Sequence, residues 1–349
     1  MKVAIDISPL QSGHKVRGVG FYLHYLKASF LKYFPEHDYT FFTDTKEIPA
    51  DVDLVHYPYF DPFFLTLPLV KKHKTVVTVH DLTPLVFPEH FPAGIKGTLR
   101  WQLQKMLLRQ VDGVIGDSEA SRKDIIKIAG VDKEKVFSVY LAAGEEFKKM
   151  ENGKWKMEIL KKYNLPKKFV LYVGDVTWNK NLPNLVRAVQ QADLPLVMVG
   201  KSLATETFDH TNPWNANLVE FHELIKNDKR IIRLGFIPTE DVVALYNSAT
   251  VFAFPSLYEG FGLPVIEAMQ SGCPVVTTKG GSLAAVAGDA AFFVDGYDVN
   301  SIADGMNKVF SDKHMQQDLI AKGLKQASTF SWQKTASETI QVYQNVLQS

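Results

Sequence analysis

Residues 250–278 read TVFAFPSLYEGFGLPVIEAMQSGCPVVTT. The opening run, Thr250 to Phe254, is unbroken apolar after its first residue, as in a strand buried on both faces. Gly260-Phe261-Gly262 is a loop. Leu263 to Gly272 follows as a helix with Pro264 in its first turn, ended by Gly272 and Pro274. Val275-Val276 then opens a second strand. Strand, helix, strand in that order means a parallel pair with a right-handed crossover, so the fold class is α/β.

The same rhythm runs outward in both directions. Strands are expected near 2–7, 39–43, 53–57, 75–80, 113–117 and 136–139, and again near 169–174, 195–200, 231–234, 250–254, 274–278 and 290–294. Runs such as TVVTVH (75–80) and PLVMVG (195–200) suit sheets covered on both faces. The rhythm breaks once, at residues 142–167, which are charged and carry no strand signal; a linker and a lead-in helix fit there. The expectation is two doubly wound parallel-sheet domains, residues 1–150 and 151–330, followed by a helix over 331–349.

Length and composition agree with two globular domains: 349 residues, 46% hydrophobic and 22% charged. A formal charge of +1 gives no global field for nucleic acid, and no nucleic-acid partner is expected. The lone Cys273 allows no intrachain disulfide, and MKVAIDISPL does not read as a signal peptide, so a cytoplasmic location is expected. No stretch approaches the ~18 apolar residues of a membrane span, so any membrane contact is expected to be peripheral, at the inner face.

In open α/β sheets ligands bind beyond the carboxyl ends of strands. Those positions include Ser8-Pro9, Tyr57-Pro58, His80-Asp81, Asp117-Ser118, Gly174-Asp175, Gly200-Lys201, Gly235-Phe236 and Pro255-Ser256. Gly18-Val19-Gly20 precedes a helix with Leu23, Leu26, Phe30 and Phe34 on one face, and its N–H groups could hold phosphate. It is not a dinucleotide fingerprint, because Leu23 occupies the third glycine position. His80 ends a strand, where it is either a proton-transfer or ligand-binding residue or a histidine satisfied by backbone. Asp51 and Asp53 resemble a metal pair but better mark the turn before a strand, and no metal site is expected. Lys180 stands at a helix entrance, where cation and dipole both favour an anion; the alternative is a solvated surface lysine.

Glu259 sits on the loop and Glu267 near the start of the helix it enters. Gly260 and Gly262 let backbone pass close to a ligand, the turn's N–H groups can hold a diphosphate, and each carboxylate can accept from vicinal hydroxyls. An acid early in a helix is favoured by the dipole alone, by about 0.3–1 kcal/mol. That explains Glu267 but not Glu259 or the glycines.

Set in EGFGLPVIEAM, the two acids separated by seven residues resemble the motif of retaining glycosyltransferases of family 4, which have the GT-B fold of two Rossmann-like domains facing across a cleft. RGVGFYLHYL, VHYPYF, VTVHDLTPL, GDSEASRKDI, VGDVTWNKNLPNLVRA and the long stretch 230–278 resemble that family's landmarks. FSWQKTASETIQVYQNVL resembles its final helix, which often returns to the N-terminal domain. The resemblance implies roles. Glu267 would hold the ribose hydroxyls; Glu259, with the backbone of Phe261, Gly262 and Leu263, the transferred hexose and diphosphate; Lys180 the diphosphate; the backbone around Phe236 the base. Gly18 and Gly20 would lie near the phosphate, and His80 near the reacting carbon of the sugar. Asn179 stands where many members carry an arginine, so a second phosphate cation would be missing or come from elsewhere, for instance Arg17. Arg17 and Asp81 are the acceptor-side candidates.

The implied reaction is metal-independent, retaining transfer of a hexosyl unit to an acceptor hydroxyl on a glycan or lipid-linked sugar. The HDL type of N-terminal domain favours mannosyl from GDP-mannose, then glucosyl from UDP-glucose, in polysaccharide biosynthesis. No cofactor is expected beyond the nucleotide-sugar co-substrate. A sugar-nucleotide epimerase of the same fold and a non-catalytic nucleotide-sugar binding protein are the alternatives. Residues 94–110 place Trp101, Leu103, Leu107 and Leu108 among Lys96, Arg100, Lys105 and Arg109. We read them as a core-facing helix with a solvated basic side, with peripheral membrane contact as the second reading.

Overall fold

Among the described residues twelve strands lie where the apolar runs place them, each end within one residue of the expected one. They build two six-stranded, wholly parallel sheets. The computed structural model describes residues 1–11, 18–151, 153–205 and 207–349. Arg17 therefore lies outside the described residues. Residues 1–142 and 330–349 form one compact unit and residues 143–329 the other.

In the first unit the elements run β1 (Lys2–Asp6), α1 (Gly18–Tyr33), β2 (Asp38–Phe42), β3 (Leu54–Tyr57), β4 (Lys74–Val79), α2 (Thr83–Val86), α3 (Gly94–Arg109), β5 (Gly113–Gly116), α4 (Glu119–Asp124) and β6 (Val136–Ser138). The sheet order is β2-β1-β3-β4-β5-β6. Val76, Val77 and Val79 of β4 are wholly buried, as a strand covered on both faces requires. α1 buries Tyr22, Leu23, Leu26 and Phe30, the spacing of one helical face. α3 buries Trp101, Leu107 and Leu108, with Leu103 packed against the same core, so the core-facing reading of that helix holds. Arg109 is held at the end of the next helical segment, where its Nε donates to Ala129 O at 2.7 Å.

The second unit runs α5 (Lys154–Lys162), β7 (Val170–Val173), α6 (Leu182–Ala192), β8 (Leu196–Val199), α7 (Ala216–Ile225), β9 (Ile231–Gly235), α8 (Thr239–Ser248), β10 (Val251–Phe254), α9 (Leu263–Gln270), β11 (Val275–Thr277), α10 (Leu283–Ala287), β12 (Ala291–Phe293), α11 (Val299–Ser311) and α12 (Lys313–Ala327). Its sheet order is β12-β11-β10-β7-β8-β9. Leu171, Val197 and Phe252 are fully buried at its centre; truncating one such leucine to alanine costs about 2–5 kcal/mol. Helix starts follow the expected chemistry. Asp298 accepts from Asn300 N at 2.9 Å and Asp312 from Met315 N at 3.0 Å. Each such cap is worth about 1 kcal/mol.

The last helix, α13 (Trp332–Gln348), packs with α1 in the first unit. Its Trp332 stacks on Tyr25 at 5.1 Å, and its Tyr343 hydroxyl meets His56 Nδ1 at 2.7 Å. His56 Nε2 lies 2.8 Å from Thr78 Oγ1, which lies 3.0 Å from the Tyr22 hydroxyl. Burial, with the nearby His80, pulls the His56 imidazole down to about 3. His56 is thus a neutral core histidine with both nitrogens satisfied.

Candidate active site

In the second unit β7 lies between β8 and β10. The chain winds outward from β7 through β8 to β9, then returns to β10 and winds outward the other way. That reversal leaves a crevice beyond the carboxyl ends of β7 and β10, the place where open α/β sheets take ligands. Lys180 follows β7 and Glu259 follows β10. The two connecting loops are stitched together. Leu257 N and Ser256 Oγ both donate to Asn179 O at 2.7 Å. Asn181 Nδ2 donates to Pro255 O at 3.0 Å and Gly296 O at 2.6 Å.

Across these loops Lys180 Nζ donates to Glu259 Oε1 at 2.7 Å and Oε2 at 2.9 Å. Both side chains are largely buried, at 17% and 11% exposure. Oε1 also lies 2.5 Å from Ser256 Oγ, whose single proton is shared with Asn179 O, and accepts from Asn179 Nδ2 at 3.5 Å. A carboxylate has about four lone-pair sites, two on each oxygen. Oε1 is saturated, whereas Oε2 has Lys180 and room for one more donor. The ammonium has three N–H donors and directs two of them at Glu259. The pair can therefore take a hydroxyl on the carboxylate and an anionic oxygen on the ammonium without either charge losing its partner.

The loop that carries Glu259 is fixed by its backbone. Gly262 adopts φ +97°, a region that favours glycine, and forms the cap of α9. Gly281 lies so close that a Cβ there would stand 2.3 Å from Glu259 O. Ser282 Oγ donates to Phe261 O at 2.6 Å, and Ser282 N donates to Glu259 O at 3.0 Å. Gly260 and Phe261 are buried and Leu263 is half-buried. No side chain caps the start of α9, so its dipole end faces the loop.

Glu267 lies one turn into α9, half-buried, and its Oε2 accepts from the Tyr246 hydroxyl at 3.1 Å. Burial raises the Glu267 carboxyl to about 7; the Tyr246 bond opposes this and the charge of Glu146 adds to it. Such a group is close to half protonated at neutral pH.

Asn179, at the position of the expected arginine, is buried and structural in its bonds: Thr177 Oγ1 donates to its Oδ1 at 2.8 Å, and its Nδ2 donates to Tyr258 O at 2.9 Å. Phe236 follows β9 on the same carboxyl edge and is 65% exposed. Asn179, Lys180 and Glu259 thus meet directly, Gly260 to Leu263 lead from them into α9, and Phe236 stands two strands from β7.

The remaining candidates lie in the first unit. Gly18 opens α1 exposed and Gly20 is buried two residues on. His80 Nδ1 meets Asp117 Oδ2 at 2.7 Å and Nε2 meets Pro58 O at 3.1 Å. With Asp117 ionised both partners are acceptors and the ring is doubly protonated when it makes both bonds; burial, the largest cause, pushes the Asp117 carboxyl up, while His80 opposes this. Burial works against the charged form, but Asp117 and the Pro58 carbonyl outweigh it and raise the His80 pKa. Asp81 is exposed and accepts from Thr83 N at 2.9 Å, a local turn bond. Asp51 and Asp53 are engaged by Lys2, the first by its ammonium and the second by its backbone N–H at 2.8 Å.

Three contributors were not singled out by spacing. Ser256 and Asp117 do stand at strand ends, the one signal that marks them. Tyr246 lies mid-helix in α8, and only the fold brings it to Glu267.

Comparison with known proteins agrees with this architecture. Residues 153–326 match the family described as Glycosyl transferases group 1, and residues 9–142 match Glycosyltransferase Family 4. O-antigen chain mannosyltransferase B of Escherichia coli is 30% identical over 304 residues, covering 83% of this chain and 75% of that protein. The serotype-specific mannosyltransferase WbdA of E. coli is also 30% identical, over 79% of this chain, but the chain spans only 34% of its length. Anabaena HepE, solved in complex with UDP-glucose, superposes with a TM-score of 0.76 at 19% identity, covering 99% of this chain and 100% of that one. With a family match in each unit and a relative of this identity along most of its length, the chain belongs to the family 4-like glycosyltransferases of GT-B fold.

Proposed function

We propose that the protein moves a hexosyl unit, mannosyl in preference to glucosyl, from a nucleoside diphosphate sugar to a hydroxyl of a glycan or lipid-linked saccharide, with retention at the anomeric carbon. The observation that carries this reading is the Lys180–Glu259 pair at the switch point, a cation and a hydroxyl-accepting carboxylate 2.7 Å apart. A diphosphate linked to a sugar presents the matching groups in the matching order. The mannosyl preference is supported by the mannosyltransferases named among the relatives. The nucleotide-sugar donor is supported by the complex in which HepE was solved.

In this reading Lys180 and the start of α9 meet the charge that grows on the leaving diphosphate as the glycosidic bond breaks. Glu259 Oε2 accepts a hydroxyl of the transferred sugar, Glu267 accepts from the ribose, and the backbone near Phe236 meets the base. The leaving phosphate oxygen takes the acceptor proton, so no enzyme carboxylate acts as a nucleophile.

Thermal melting with nucleotide sugars tests the donor. A ligand at a hundred times its Kd stabilises the native state by about 2.7 kcal/mol. GDP-mannose is expected to raise Tm more than UDP-glucose does. A larger shift with UDP-glucose reassigns the sugar, and no shift with either contradicts the site.

A further inference from the structure

Among the described residues, thirteen large apolar side chains are exposed, and seven of them fall in two segments of the first unit. Phe64, Leu65, Leu69 and Val70 lie on the loop after β3. Ile95, Leu99 and Met106 form a stripe along α3, opposite the face that enters the core. The segments adjoin. Gln104 Nε2 donates to Thr66 Oγ1 at 2.6 Å, and the Arg100 guanidinium lies 5.8 Å over the Phe64 ring. A cavity of about 280 Å³ opens between Leu67–Lys71 and Leu107–Val111.

The two segments themselves carry only basic charge, with Asp61 and Asp112 at their flanks. Residues 62–80 and 90–111 contain no Asp or Glu. Lys72, Lys96, Arg100 and Lys105 have no carboxylate partner among the described residues. Lys71 and Lys74, by contrast, lie 3.6 Å from Asp112.

We propose that the loop over residues 64–72 and the Ile95–Leu99–Met106 stripe of α3 form a docking surface for an anionic lipid bilayer. An apolar crown inside a basic rim matches a surface with hydrocarbon beneath negative headgroups. A second copy of the chain would bring like charges together across a two-fold contact. No helix among the described residues is long and apolar enough to cross a membrane, so the contact is peripheral. This surface lies on a different face of α3 from Trp101, Leu107 and Leu108, which are core. The proposal stands apart from the donor reading.

Co-sedimentation with vesicles tests it. The intact protein is expected to pellet with vesicles of mixed phosphatidylcholine and phosphatidylglycerol, and weakly with phosphatidylcholine alone. Neutralising three charges in K72S/K96S/K105S should weaken binding by about a hundredfold, at roughly fivefold per basic residue. The separate variant L69E/L99E should abolish binding while its melting temperature and its nucleotide binding stay those of wild type. Wild-type protein left in the supernatant at low salt overturns the proposal, as does undiminished binding of both variants. A wild-type dimer in light scattering that L69E/L99E converts to monomer assigns the face to a second copy and overturns it equally.

Discussion

Lys180 and Glu259, 79 residues apart in sequence, form a two-pronged ion pair at 2.7 and 2.9 Å across the ends of β7 and β10. Either residue alone has an ordinary explanation, as a surface lysine or as an acid near a helix start. Together, largely buried and braced by Ser256 and Asn179, they are a prearranged cation and acceptor.

Lys180→Ala separates the structural part of this pair from its chemistry. Removing one partner of a buried pair costs about 3–5 kcal/mol, the upper limit for a pair that keeps some exposure. The melt should therefore fall, and Glu259→Gln in the same chain should restore part of the loss. Turnover should fall about a hundredfold or more, as for loss of one charge-stabilising group, with a smaller change in donor Kd. Unchanged kcat with a raised KM means that the lysine gives only uniform binding.

Glu267 makes donor affinity depend on pH. Its carboxyl, raised to about 7, must be ionised to accept from two hydroxyls. Donor Kd should tighten from pH 6 to pH 8, with proton release on binding, and Glu267→Gln should flatten the profile. That variant should also lose about 1.5–3 kcal/mol of binding. For folding the sign is opposite: the native state holds the proton between the ordinary carboxyl range and pH 7, so this group's contribution to stability declines as pH rises through that window. A wild-type Kd independent of pH in calorimetry contradicts the ribose role.

His56 makes the first unit sensitive to acid. Its pKa is lowered from 6.5 to about 3, so the unfolded chain binds the extra proton first. The contribution is complete above pH 6.5 and lost progressively toward pH 3, to a total of about 4–5 kcal/mol. Denaturant melts from pH 7 to pH 4 should show the loss, and His56→Gln, less stable at pH 7, should show a shallower slope. Parallel slopes in the two proteins remove His56 as the cause.

Chelation tests how the diphosphate charge is met. With Lys180 and the start of α9 in that role, turnover should survive excess EDTA. Activity abolished by EDTA and restored by magnesium or manganese assigns the charge to a metal ion instead.

The sheets were legible because doubly covered parallel strands are written as continuous apolar runs, TVVTVH and PLVMVG among them. Lys180 and Glu259 could be found because the strand-end rule needs only local sequence. Their contact could not, since it depends on β10 pairing with β7. The His80–Asp117 pair was hidden in the same way, by the pairing of β4 with β5. In α3 the sequence pattern drew attention to Trp101, Leu103, Leu107 and Leu108, not to the apolar stripe that stays outside. The loop over residues 61–67 and the core take Trp101 and Leu107, leaving Ile95 and Leu99 outside. Asn179 could be read as a missing arginine, yet its loop-bracing bonds to Thr177 and Tyr258 appear only once the loops are folded.

The most direct measurement follows GDP-mannose by proton NMR with and without a mannose-terminated acceptor. The account predicts nucleoside diphosphate release only when acceptor is present, with the new linkage in the anomeric configuration of the donor. Release of a free isomerised sugar without acceptor would make the protein an epimerase. Donor bound but unchanged in the presence of acceptors, or a product of inverted configuration, would contradict retaining transfer.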